Sequence, residues 1–168
     1  MALRRQKPVV ERTRDGYVIR LRADEFELLG RLLGELRGLV LSTDAATDAI
    51  RRRLFPPAYH LADDADAEAE YQRLMREELV ASRLDALQRV ETAFTQEQPT
   101  VLDDAGVQGL LQSLNALRLV LGTILDIGEE DDLDNIPDDH PMFGEHHLYA
   151  FLSWLLEVTV QAVMSPSP

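Results

Sequence analysis

Val107, Leu110, Leu111, Leu114, Leu117, Leu121 and Leu125 recur at steps of three and four residues, and Leu119, Val120 and Ile124 widen the same stripe. Side chains at that spacing share one face of a helix, and a stripe this broad must be covered by other elements. The segment therefore predicts a helix at the centre of the fold. Thr100 and Asp103 precede it as a capping-box-like pair. Gly128 is placed to close it, because glycine enters the left-handed conformation without a side-chain penalty.

Four further helices are legible around it. Asp24, with Glu27 three residues later, marks a start near residue 24, and Phe26, Leu29, Leu32, Leu33 and Leu36 carry that helix to about residue 40. Thr43 or Asp44 caps a shorter helix through DAATDAIRRRLF, which must stop at Pro56-Pro57 because proline lacks the amide and restricts the residue before it. A third helix ends near Gln96 and carries two stripes out of phase: Tyr71, Leu74, Met75 and Leu79, then Leu84, Leu87, Val90 and Phe94. The phase change predicts a bend near residue 80 or a change of packing partner there. The last helix, about 145–164, is apolar nearly all round, with Ser153, Glu157 and Gln161 as a narrow polar line.

Ahead of the helices, PVVERT and YVIRL flank Asp15-Gly16, a pair suited to a tight turn, so a β-hairpin is expected over 8–22. Tyr17, Ile19 and Leu21 share one face of its second strand, and Val18, Arg20 and Arg22 the other. A lone ribbon is marginal in water, so it must rest on the helices. The expected fold is all-α: one domain over 1–164, a bundle of about five helices across 24–164 with the hairpin at its N-terminus, then a disordered tail at 165–168. No βαβ alternation or nucleotide-binding glycine motif supports a parallel sheet.

The 168 residues contain no cysteine, which removes disulfides, thiolate nucleophiles, cysteine zinc sites and thiol redox sensing from their chemistry. No signal-peptide pattern opens the chain, and Glu157 interrupts its most apolar stretch, so a cytoplasmic protein with no membrane partner is expected.

A net charge of −13 ordinarily repels nucleic acid. The charge is graded, however: residues 1–53 hold 12 of the 17 basic side chains against 8 acids, and beyond Arg118 there are 10 acids and no Lys or Arg. Arg12, Arg14, Arg20 and Arg22 on the hairpin, with Arg51, Arg52 and Arg53 at the end of the second helix, are the candidate contacts to DNA or a protein partner. A two-stranded ribbon fits a major groove in width. The competing reading pairs these arginines with neighbouring acids and gives the last three to the helix dipole.

Eight carboxylates crowd residues 126–139. No register supplies the alternating oxygens, sixth-position glycine and twelfth-position acid of a calcium loop, so the run reads as a solvated loop. His140, His146 and His147 lack HExxH spacing, and adjacent helical histidines diverge by about 100°. No metal and no cofactor are expected. Ser153 and His147 have no glycine elbow or oxyanion turn beside them, so no catalytic residue is assigned and no enzyme is expected. The apolar breadth of the last helix assigns Phe151, Trp154, Leu155 and Val158 to a homodimer patch, the alternative being a helix buried within its own bundle.

RRLFPPAY at 52–59, EAEYQRLMREELVASRLDAL at 68–87, LNALRLVLGTIL at 114–125 and LSWLLE at 152–157 together resemble the actinobacterial oxidative-stress regulator (AosR-like) family, long filed as a domain of unknown function. The resemblance spans nearly the whole chain, and LNALRLVLGT is its most specific block. It implies a non-enzymatic transcriptional regulator linked to oxidative-stress and cysteine-synthesis genes, working with an alternative sigma factor. Gene neighbourhoods in the family imply an alternative: an adaptor or scaffold in Clp-type protein turnover or sulfur metabolism. The family's redox sensing is tied to a cysteine pair, which has no counterpart in these residues. The candidate partners are therefore DNA, a sigma factor or another protein, and a second copy of the chain.

Overall fold

Val10–Thr13 (β1) and Gly16–Ile19 (β2) form the hairpin, with Val10 opposite Ile19 and Thr13 opposite Gly16. The coordinates are those of a computed structural model and describe residues 7–56, 65–96, 98–127 and 136–166. Tyr17, Ile19 and Leu21 turn into the core at 3%, 1% and 9% exposure, so the period of two sorted the faces correctly. The ribbon does not rest on helices alone. Thr100–Leu102 (β3) pairs antiparallel with β2, Tyr17 facing Leu102, and makes a three-stranded sheet in the order β1-β2-β3.

This third strand corrects the all-α expectation. TVLD imitates a capping box, but only Asp103 caps the following helix, accepting the Gly106 amide at 2.7 Å. Thr100 is a buried strand residue. Its alternation with exposed Val101 and buried Leu102 is too short to register against the strong helical stripe that follows.

Ala23–Leu41 (α1) begins slightly earlier than the Asp24 cap implies. Arg22 is the N-cap, and Glu25, not Glu27, returns its carboxylate to the Arg22 amide at 2.9 Å. A 3-10 turn at Ala45–Thr47, with Asp44 accepting the Ala46 amide at 3.0 Å, leads into Asp48–Leu54 (α2). Ala65–Phe94 (α3) is continuous through residue 80. Its second stripe packs, with Leu87, Val90 and Phe94 buried and Phe26 of α1 stacked on Phe94 at 5.4 Å. The first stripe stays outside the buried core, and Leu74 is 64% exposed.

Asp104–Ile124 (α4) is the central helix, touching α1, α2 and α3 as well as Phe143–Met164 (α5). Val107, Leu110, Leu114, Leu117 and Val120 form its buried spine, each fully buried leucine contributing about 2 kcal/mol. At Gly109 the backbone of α3 comes so close that a Cβ would stand 2.8 Å from the Ala86 carbonyl oxygen. The expected cap, Gly128, lies outside the described residues. α4 closes earlier: Asp126 takes the left-handed conformation at φ 52, its amide bonds Thr123 O at 3.4 Å, and the Ile127 amide bonds Gly122 O at 3.0 Å. That pair of bonds is a Schellman closure with aspartate in the glycine position.

One helix among the described residues, α5, is long and apolar enough by length and composition to cross a membrane. Here it supplies Leu152, Leu155, Thr159 and Ala162 to the interior and packs on α4 and β1.

Candidate functional site

The arginines proposed as a contact surface are mostly committed within the chain. Arg12 lies over the Tyr17 ring at 5.9 Å and donates to the carbonyls of Val163 at 3.3 Å and Ser165 at 2.6 Å, so it closes the end of α5. Arg20 pairs with Glu11 at 2.7 Å and donates to Pro8 O. Arg22 meets Glu25 at 3.0 Å and Asp24 at 3.3 Å. Arg51 pairs with Asp48 at 2.7 Å and donates to Ser42 O at 3.0 Å, joining α2 to the end of α1.

Arg14, Arg52 and Arg53 are exposed and make no hydrogen bond or ion pair among the described residues. Arg14 shares a cleft of about 490 Å³ with Asp15, Asp103 and Asp104, so acids offset its field. The chain thus brings the hairpin arginines to carboxylates and carbonyls, and does not assemble them into one unpaired basic surface. Arg4 and Arg5 lie outside the described residues.

The same ion-pair logic appears where sequence reading did not look. Arg37 of α1 and Glu91 of α3 form a bidentate pair, with Arg37 Nε donating to Glu91 Oε2 at 2.9 Å. The hydrogen bond to Glu91 holds the Arg37 guanidinium above its usual range; burial opposes this and the carboxylate's charge supports it. Arg83 is pushed down by burial, beneath the Phe55 ring and against Leu54 O.

Among the described residues no three His, Asp or Glu side chains converge on one point. The His140 and His146 rings meet edge-on at 5.2 Å, whereas His147 packs on Phe143 at 4.2 Å, so the three histidines divide between two contacts. Residues 128–135 of the acidic run lie outside the described set. Asp138 and Asp139, which follow, are exposed.

On α5 the proposed patch splits. Leu155 is fully buried in the chain's own core, while Phe151 and Val158 are half-buried and Trp154 is 40% exposed. The indole helps to line a groove of about 430 Å³ between β1 and α5, beside Val158, Val10 and Arg12.

A second cluster was missed by sequence reading. Arg118 of α4 donates through Nε to Ser153 Oγ at 2.8 Å, and its guanidinium carbon stands 5.4 Å from the Tyr149 ring centroid. A cleft of about 140 Å³ contains Arg118, Tyr149, Asn115 and Arg53. The available signal was Arg118 as the last cation in the chain, on the helix predicted to be most buried.

"Oxidative stress regulator AosR" from Mycobacterium bovis is 28% identical over 186 aligned residues, covering 90% of this chain and 85% of that protein. The Mycobacterium tuberculosis protein of the same name gives the same identity and coverage. "Putative oxidative stress regulator AosR" from Mycobacterium leprae is 27% identical, covering 84% of this chain and 79% of its own. No solved structure matches. The pattern of one family, described as a domain of unknown function (DUF2017), runs across residues 5–163 and takes in the sheet, the central helix and α5, so the chain belongs to the DUF2017 family.

Proposed function

We propose that this chain is a non-enzymatic regulator of an oxidative-stress response that acts on transcription by docking on a protein, a sigma factor or polymerase, without thiol sensing. The observation that carries the reading is its likeness, over 90% of its length, to proteins named as oxidative stress regulators. The choice of a protein over DNA rests on the arginines. Arg12, Arg20, Arg22 and Arg51 are paired or engaged within the chain, so of the seven candidate arginines only Arg14, Arg52 and Arg53 are left unpaired among the described residues to displace counterions from phosphate. Apolar side chains stand free instead: Trp154 at 40%, Ile124 at 50% and Val101 at 59% exposure.

DNA contact is the second reading, favoured by the exposure of Arg14, Arg52 and Arg53. An affinity capture from native lysate, run with and without nuclease, separates the two. A transcription protein retained after nuclease treatment supports the first reading, and loss of all captured material on nuclease treatment supports the second. Capture of a protease or a sulfur-metabolism enzyme in either arm would give the chain to the adaptor class.

A further inference from the structure

We propose that the cleft between α4, α5 and the end of α2 binds a single tetrahedral oxyanion such as phosphate. Arg53 and Arg118 line it together with Asn115, Thr123 and Tyr149, and no carboxylate lines it among the described residues. The chain carries 30 acids, and Arg20, Arg22, Arg37, Arg51 and Arg89 each hold at least one of them. Arg118 is held by neutral groups instead: Ser153 Oγ takes Nε at 2.8 Å, and the Tyr149 hydroxyl lies 3.4 Å from Nη2. The guanidinium is thereby oriented without being neutralised, and a planar donor fork matches an oxyanion in geometry as well as charge.

The carbonyls at the end of α4 would ordinarily repel an anion. Those of Leu121, Gly122 and Thr123 are turned into the closing bonds from Leu125, Ile127 and Asp126. The space of about 140 Å³ equals roughly five waters, enough for one phosphoryl-sized group. The site shares Arg53 with the DNA reading but draws on none of the hairpin arginines, and Arg118, which that reading does not use, tests it separately.

The test is calorimetric titration of the full chain with inorganic phosphate at fixed low ionic strength, against sodium chloride as the blank. Saturable one-site binding is expected, weakened about tenfold or more by Arg118→Gln and by Arg53→Gln, and about threefold by Tyr149→Phe. Arg89→Gln, in an ion pair on α3, should bind phosphate as the parent does. Arg53 is exposed, so its variant keeps the test valid if Arg118→Gln fails to fold. No saturable heat beyond the blank, or equal affinity in the Arg53 variant and the parent, would overturn the site.

Discussion

The guanidinium of Arg12, on the first strand, hydrogen-bonds the carbonyl of Ser165, beyond the last helix, at 2.6 Å across 153 positions of sequence. A residue that reads as a surface cation in sequence therefore acts as a clasp between the two ends of the fold. Arg12→Gln should lower the unfolding free energy by about 1–2 kcal/mol, through loss of its charge-assisted bonds to Ser165 and Val163 and of its stacking on Tyr17. Urea unfolding measures it; a midpoint unchanged from the parent would return Arg12 to the surface reading.

Glycines separate tight packing from open space in the same protein. Gly109→Ala would press a methyl against Ala86 O and against Val90 Cγ2 at 3.1 Å, so a loss of about 1–3 kcal/mol is expected as α3 and α4 are forced apart. Gly34→Ala, on the exposed side of α1, has nothing within 4 Å and should stabilise by about 0.5–1 kcal/mol. Paired thermal melts should move in opposite directions.

If DNA is bound, only the uncommitted arginines should carry the salt dependence. Replacing Arg14, Arg52 and Arg53 with Gln should flatten the slope of log K against log salt by up to roughly 0.9 for each phosphate that is no longer neutralised. Replacing Arg20 and Arg22, held by Glu11 and Glu25, should leave the slope nearly unchanged. A gel-shift series across salt distinguishes these outcomes, and the reverse pattern would restore the hairpin as the DNA-facing surface.

Peroxide or diamide should leave mobility and oligomeric state unchanged by any route that dithiothreitol reverses, since the 168 residues contain no thiol. Non-reducing electrophoresis and size-exclusion chromatography provide the readout. A rapid, reversible shift would contradict the expectation.

Self-association, if present, should depend on Trp154 rather than on Leu155. Trp154→Ser removes an exposed indole and should shift sedimentation toward the monomer, with the fold retained. A parent chain that sediments as a monomer at tens of micromolar would assign the indole to the β1–α5 groove alone.

Helices α1 and α4 were legible because each carries an apolar stripe long enough to set a period: Leu29 to Val40 in α1 and Val107 to Val120 in α4 are buried as that period demands. Elements depending on a partner distant in sequence were not legible. Thr100–Leu102 has three residues and becomes a strand only because β2 offers it an open edge. Asp126 closes α4 in the position assigned to Gly128, through backbone bonds that composition does not announce. The fate of Arg12 was set by where distant carbonyls arrived and that of Arg20 by the hairpin, whereas Arg22 and Arg51 pair with acids three positions away. The Arg53–Arg118 cleft escaped notice because its residues come from three helices.

The position of β3 also orders events in time. During synthesis the β1–β2 ribbon emerges first, yet one of its edges stays open until residues 100–102 arrive, and its packing against α5 waits for the last helix. Closing contacts over such separations is slow compared with forming local helices. The nascent chain therefore exposes unpaired strand backbone until residues 100–102 are made, the interval in which a folding helper would have the most surface to hold.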